Sequence, residues 1–250
     1  MSYRMIKNLL NISLFPALIL MSCISKLLAD PIYHETKYPP VKGIHPAVVV
    51  LHTSSGFKTV KRQMVKYSNA GYVVYAPDFF RRHGISMKNR FKTWTTHRTN
   101  IETELIEIIE LIKKDPLVDP KNIFAVGFSN GGYWASFLAA RKHVNAAASH
   151  YGVWRWPPRA GWIGYPADYF DEESNPVLAI HGDGDTIQKP KFVYGQLDNV
   201  EVRSPKFKKH IFSNAGHSWD CKRCSKDGYN KTVTKLAFEM TLGLFERHRR

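Results

Sequence analysis

The sequence predicts an α/β fold, a mostly parallel sheet with helices on both faces. Three observations predict it. Apolar runs recur that do not alternate with polar residues, which is how strands buried on both faces read. Segments of helical periodicity stand between them. Small polar or titratable residues close the runs, at the strand ends where open parallel sheets place their sites.

Taken in order, PAVVVLHTSSG (46–56) is the first buried strand, ending in His52, Thr53 and Ser54. VKRQMVKYSNAG (60–71) carries Val60, Met64, Val65 and Tyr67 at helical spacing, with Gly71 as a stop. YVVYAPDF (72–79) is a second strand, ended by Pro77 and followed by Asp78. NIETELIEIIELIKKD (100–115) is the clearest helix, with Ile101, Leu105, Ile108, Ile109 and Ile112 on one side, acids leading and lysines closing. NIFAVGFS (122–129) is a third strand that passes straight into a helix through GGYWASFLAARKH. NAAASHYG (145–152), PVLAIHGDGD (176–185) and FKKHIFSNAGHSW (207–219) read as three further strands, and residues 231–247 as a last helix. His150, Asp183 or Asp185, and His217 then join Ser129 on one rim.

The chain of 250 residues is long enough for one sizeable core, placed at 30–250 as a single domain. It shows no fixed-period repeat and no low-complexity tract, and its aromatic content argues against disorder. Residues 1–29 stand apart as an export signal: basic Arg4 and Lys7, then the apolar LLNISLFPALILM, too short and interrupted for a membrane span of about 20 residues. Two endings compete, ordinary cleavage after Ala29 and a lipoprotein-type signal ending at Cys23, whose lipidation would attach the chain to a membrane. The expected location is therefore outside the cytoplasm, in the periplasm, on the envelope or secreted.

The formal charge is +15. Residues 1–29 hold three of the 36 basic residues and none of the 21 acids, so a chain starting at Asp30 carries +12. Such a charge favours anionic surfaces and substrates, or belongs simply to a basic, well-solvated surface. The basic residues are scattered and not interleaved with aromatics, so no nucleic-acid partner is expected. Cys221 and Cys224 in DCKRC form a close pair that an oxidising compartment would make a disulfide. No second ligand pair stands nearby, and no metal or organic cofactor is expected.

Chemistry concentrates in IFAVGFSNGGYWA (123–135). A lone G-x-S-x-G is a weak signal; strand, tight turn and helix around it make the context of a nucleophile elbow, presenting Ser129. Serine needs a general base within hydrogen-bond reach and backbone donors for the oxyanion. Downstream come HGDGDTI and then NAGHSW, giving the chain order Ser129, Asp185, His217, with Asp183 as the rival acid.

PAVVVLHTSSG, AGYVVYAPDFF, VGFSNGGYWA, VLAIHGDGDTI and NAGHSW, in this order over most of residues 45–247, resemble the motifs of the dienelactone hydrolase family. The resemblance implies an α/β-hydrolase fold. It implies Ser129 as nucleophile, Asp185 as acid and His217 as base, with the backbone N–H groups of Ser54 and Asn130 as oxyanion-hole donors and His52 in a structural place beside the hole. The chain departs from the family pattern twice. Serine stands where the family has a nucleophilic cysteine, which favours general esterase chemistry on a small-molecule ester. Thr53 stands where a glycine usually follows His52.

Residues 153–170, VWRWPPRAGWIGYPADYF, have no helical period and come after a strand on the catalytic rim. The segment is expected either to overhang the pocket as a small lid or to pack its aromatics on the domain. In the first case Trp154, Arg155, Arg159 and Trp162 are candidate substrate contacts, the arginines for a carboxylate. The reaction expected is hydrolysis of a carboxylic ester or lactone through an acyl-enzyme. Acyl transfer or peptide hydrolysis on the same triad, and a non-catalytic binding protein of this fold, are the alternatives. Composition leaves the oligomeric state open.

Overall fold

This computed structural model describes residues 32–156, 164–223 and 228–250. Residues 1–29, read as an export signal, with Cys23, and Arg159, Trp162 and Cys224 lie outside the described residues. Seven strands form one sheet: β1 (His34–Lys37), β2 (His45–Leu51), β3 (Val73–Pro77), β4 (Val118–Phe128), β5 (Ala147–His150), β6 (Val177–Gly182) and β7 (Phe207–Phe212). Among the described residues five α-helices connect or flank them: α1 (Lys61–Asn69), α2 (Arg98–Ile112), α3 (Asn130–Ala140), α4 (Pro190–Arg203) and α5 (Lys231–Arg247). The strand order is β1-β3-β2-β4-β5-β6-β7. All neighbouring pairs are parallel except β1 with β3.

The unbroken apolar runs are explained by cover on both faces. In β2, Ala47, Val49 and Leu51 pack toward the core built by α2, α3 and α4, while Val48 and Val50 pack toward the one built by α1 and α5. All five are fully buried. Helix α2 buries the residues its periodicity marks, Ile101, Leu105, Ile108, Ile109 and Ile112. At about 1.5–3 kcal/mol for each fully buried large aliphatic side chain, this stripe outweighs any propensity term along the helix.

Four features depart from the sequence reading. The edge strand β1 is antiparallel and only half-buried, so it gives no apolar run. Strand β4 starts earlier, at Val118, because a register break opposite His45 and Ala47 lets the half-buried Asp119 and the exposed Pro120 and Lys121 bulge out before the buried run begins. Strand β7 stops at Phe212 and gives way to a loop through Asn214, at φ 55°. Helix α4 was not expected; it buries only Val193, Leu197 and Val200, a stripe too narrow to stand out, although Pro190 in its first turn marks its start.

Candidate active site

The carboxyl ends of β2, β4, β5, β6 and β7 converge on one rim, as parallel topology requires. Ser129 occupies the turn between β4 and α3 at φ 52° and ψ −111°, outside the regions a non-glycine residue ordinarily adopts. Main-chain bonds hold it there. Its N–H donates to the His150 carbonyl (3.0 Å), and its own carbonyl accepts from Gly132 (2.9 Å) and Val153 (3.1 Å). The glycines are required by close approach. A Cβ on Gly131 would overlap the Leu51 carbonyl, and one on Gly132 would lie 2.6 Å from Ser149 Oγ and 2.7 Å from Gly152 Cα. The Gly131 N–H donates to the His52 carbonyl (2.9 Å), which ties the start of α3 to the end of β2.

His217 Nε2 lies 3.0 Å from Ser129 Oγ, and His217 Nδ1 lies 2.8 Å from Asp185 Oδ2. All three residues are buried or nearly so. The other oxygen of Asp185 accepts from the main-chain N–H groups of Ile187 (2.8 Å) and Gln188 (2.7 Å). Burial alone raises the Asp185 pKa. The hydrogen bond and charge of His217, the charge of His181 and the Gln188 N–H outweigh it, holding the carboxyl below the usual carboxylate range. Asp185 therefore stays ionised, and its bonding makes Nδ1 of His217 the protonated nitrogen and Nε2 the acceptor facing Ser129.

The rival acid has a different place. Asp183 is exposed, and its carboxylate accepts from the Asn214 N–H (2.7 Å), closing the turn that leads toward His217. The remaining rim histidines also have other partners. His150 Nε2 lies 2.8 Å from Thr241 Oγ1, and burial pushes its pKa down to about 3. Buried His181 donates from Nε2 to the Gln188 carbonyl (2.9 Å); burial lowers its pKa against the opposing pull of Asp185. His52 donates from Nδ1 to the Thr53 carbonyl (2.8 Å) and stacks on Phe79 at 3.9 Å, a structural seat.

Ser54 and Asn130 flank Ser129 from the β2 loop and from the first turn of α3. Asn130 Nδ2 donates to Ser54 Oγ (3.4 Å), linking the two segments. The Asn130 N–H is the first of α3 and has no acceptor within the helix. Thr53 fits where glycine was expected because its Oγ1 accepts from the Ser55 N–H (3.1 Å), while its carbonyl accepts from Gly56 (3.0 Å).

The described parts of residues 153–170 fold inward. Trp154, a candidate substrate contact from sequence, is a core residue: it is 1% exposed, its ring packed against Phe207 at 5.6 Å and Phe170 at 6.3 Å. Trp156 packs against Trp94 at 5.0 Å and Phe91 at 4.9 Å. Among the described candidate substrate contacts, Arg155 keeps an exposed side chain, its guanidinium 5.6 Å from the centre of the Phe192 ring. The aromatic richness of the segment is thus largely packing.

Sequence reasoning missed the residues that hold the histidine loop. Tyr151 comes directly after β5 at φ 37°, sets its ring edge-on to His217 at 4.9 Å, and donates to Asp220 Oδ1 (2.6 Å). Gln63 on α1 donates to Asp220 Oδ2 (2.6 Å). Burial first, and the charge of Asp220 after it, push the Tyr151 phenol far above its ordinary pKa, so it remains a donor. The only available signal was Asp220 itself, three residues after His217. Cys221, next in the chain, is disulfide-bonded. Among the described residues no group of three His, Cys, Asp or Glu side chains is arranged to hold a metal ion.

A serine on a strained strand-to-helix turn, bonded to an imidazole that is bonded to a buried carboxylate, defines the hydrolase class of α/β proteins. The dienelactone hydrolase family model matches residues 34–249, and the chain belongs to that family and is a hydrolase. It is 24% identical over 225 residues to a Synechocystis protein named "Putative carboxymethylenebutenolidase", covering 83% of this chain and 88% of that one. The fold is similar to a "Putative Dienelactone Hydrolase" from Klebsiella pneumoniae, with TM-score 0.75 and 18% identity over 86% of this chain and 92% of the other. It is also similar to esterase 2 of Thermogutta terrifontis, solved phosphorylated by paraoxon, with TM-score 0.65 and 15% identity over 84% and 88% of the two chains.

Proposed function

We propose that this chain is a serine esterase that cleaves small carboxylic esters or lactones through an acyl-enzyme. The observation that carries the reading is the continuous chain from Ser129 Oγ to His217 (3.0 Å) and on to Asp185 (2.8 Å). His217 Nε2 takes the Ser129 proton as Oγ attacks the carbonyl carbon. The oxyanion is received by the N–H groups of Ser54 and Asn130. His217 returns the proton to the departing alkoxide, which leaves as the alcohol. Water, losing a proton to His217, then attacks the acyl-serine, and the carboxylic acid departs as the serine recovers its proton. Asp185 stays ionised throughout, orienting the imidazole and stabilising its cation.

Capture of the Thermogutta esterase by paraoxon suggests the test. Paraoxon or a fluorophosphonate should label the protein at one site and stop turnover of p-nitrophenyl esters, and Ser129→Ala should remove both labelling and turnover while the fold survives. Labelling at full strength in the Ala variant would overturn the assignment.

The same reading puts the enzyme outside the cytoplasm, with residues 1–29 as its export signal and either cleavage after Ala29 or lipidation of Cys23. The disulfide at Cys221 supports an oxidising destination. Mass spectrometry of the N-terminus of protein recovered from the envelope would identify the processed end, and an intact Met1 on that protein would refute the export reading.

A further inference from the structure

Helices α1 and α5 share one face of the sheet and leave an open groove of about 510 Å³ between them. Arg62 and Lys66 line it from α1, and Lys231, Lys235 and Phe238 from α5, with Tyr229 just before that helix. That volume falls within the range of small-molecule sites, roughly 300–1,000 Å³. Among the described residues that line the groove none is acidic. Among the described residues Arg62, Lys66 and Lys231 form no ion pair, and Lys235 has only the exposed Glu239, 3.6 Å away on its own helix. Such an exposed pair neutralises little.

The arrangement is costly without a partner. Arg62 and Lys66, and again Lys231 and Lys235, stand four residues apart on one helix face, where like charges repel. Burial and then the Arg62 charge push the Lys66 ammonium below the ordinary lysine range, with Asp220 pulling the other way. Lys66 lies 5.5 Å from the centre of the Phe238 ring, so its stem covers apolar surface while its charge stays at the rim. The floor is aromatic and the rim is cationic.

We propose that this groove binds an anionic amphiphile, a phosphate or carboxylate head held by Arg62, Lys66 and Lys231 with an apolar body laid on Phe238 and Tyr229. A free amphiphile and the exposed part of an anionic lipid in a bilayer both carry this head-and-body chemistry. The groove is separate from Ser129, so the inference stands or falls apart from the esterase reading.

The test is calorimetric titration of the full chain with dodecyl phosphate below its micelle concentration, with inorganic phosphate as the head alone. One dodecyl phosphate per chain should bind, and inorganic phosphate should bind at least tenfold more weakly. Arg62→Glu with Lys231→Glu should raise the Kd for dodecyl phosphate at least tenfold without changing turnover of p-nitrophenyl acetate. Both substitutions put an acid near a helix start, where the helix dipole favours it, so the variant should fold. Lys206→Glu with Lys208→Glu changes the net charge equally outside the groove and should alter the Kd less than twofold. Phosphatidylglycerol vesicles that sediment the natural chain but not the groove variant identify the bilayer as the source. Equal sedimentation of both chains, with monomer binding intact, identifies the free amphiphile. No binding of dodecyl phosphate, an unchanged Kd in the groove variant, or inorganic phosphate binding as tightly as dodecyl phosphate would overturn the proposal.

Discussion

At the β4–α3 turn, Ser129 is fixed by main-chain bonds to His150, Gly132 and Val153, and by glycines that let α3 close against β2 and β5. In the loop after β7, His217 is fixed by side chains drawn from distant parts of the chain: Asp185 after β6, Tyr151 after β5, and Gln63 on α1 acting through Asp220. The first arrangement is made of backbone, contributed by the neighbouring strands as well as by the turn itself. The second is assembled by the tertiary fold and made of side chains. The seat of Ser129 therefore depends little on which side chains surround it, whereas the position of His217 depends on side chains up to 157 positions apart in sequence. Substitutions at single side chains should accordingly leave Ser129 in place and act on catalysis through His217.

The largest effect is expected at the direct partner of the base. Asp185→Asn removes the charge that stabilises the imidazolium and presents an amide where Nδ1–H needs an acceptor. A comparable change in the serine-protease triad lowers kcat by about 10⁴, and a loss of that order is expected here, measured on a p-nitrophenyl ester. Asp183→Asn should cost far less, because the Asp183 carboxylate accepts from the Asn214 N–H and not from His217. Should the two variants rank in reverse, the exposed carboxylate would be the acid, and the Asp185–His217 pair would not be that of the working enzyme.

An intermediate effect is expected one step further from the serine. Asp220 accepts from both Tyr151 and Gln63, and an asparagine there can accept from only one. Asp220→Asn should lower kcat by roughly tenfold to a hundredfold, the scale of a small misplacement of a catalytic group, with KM little changed. Tyr151→Phe removes one bond, keeps the ring against His217, and should fall between Asp220→Asn and the unaltered chain. If instead KM rose while kcat held, Asp220 would belong to the binding surface and not to the seat of the base.

The same contrast explains what was readable in the sequence. The parallel sheet was legible because burial on both faces leaves apolar runs such as Val48–Leu51, and the elbow because its geometry demands glycine at fixed offsets from Ser129. Asp185 and His217 were legible from their order and from the strands they succeed. The support of His217 was not, because nothing local ties Tyr151 or Gln63 to it; both read as ordinary helix and strand-end residues until α1 packs beside the 213–220 loop. The aromatic segment after β5 misled for a related reason. Tryptophan beside a predicted rim has the same sequence signature whether it faces the pocket or, as Trp154 does, packs on Phe170 and Phe207. Helix α4 was missed because a three-residue apolar stripe carries little periodic signal.

The smallest effect is expected at the covalent tie. Cys221 comes directly after Asp220, so its disulfide adds a constraint to the loop that Asp220 already anchors. If the bridge runs to Cys224, the ring it closes is very short, and closing a short ring removes little entropy from the unfolded chain, less than the roughly 3 kcal/mol given by a loop of about 15 residues. Reduction should therefore lower Tm only slightly. Its effect on kcat should also be small, within about threefold, as long as Asp220 holds both of its partners. Combined with Asp220→Asn, however, reduction should cost more than it does in the unaltered chain, because the two ties would then restrain the same loop and removing one exposes the need for the other. Strict additivity of the two effects on kcat, measured as a double cycle of reduction and substitution, would show that the disulfide and Asp220 do not share the seating of His217.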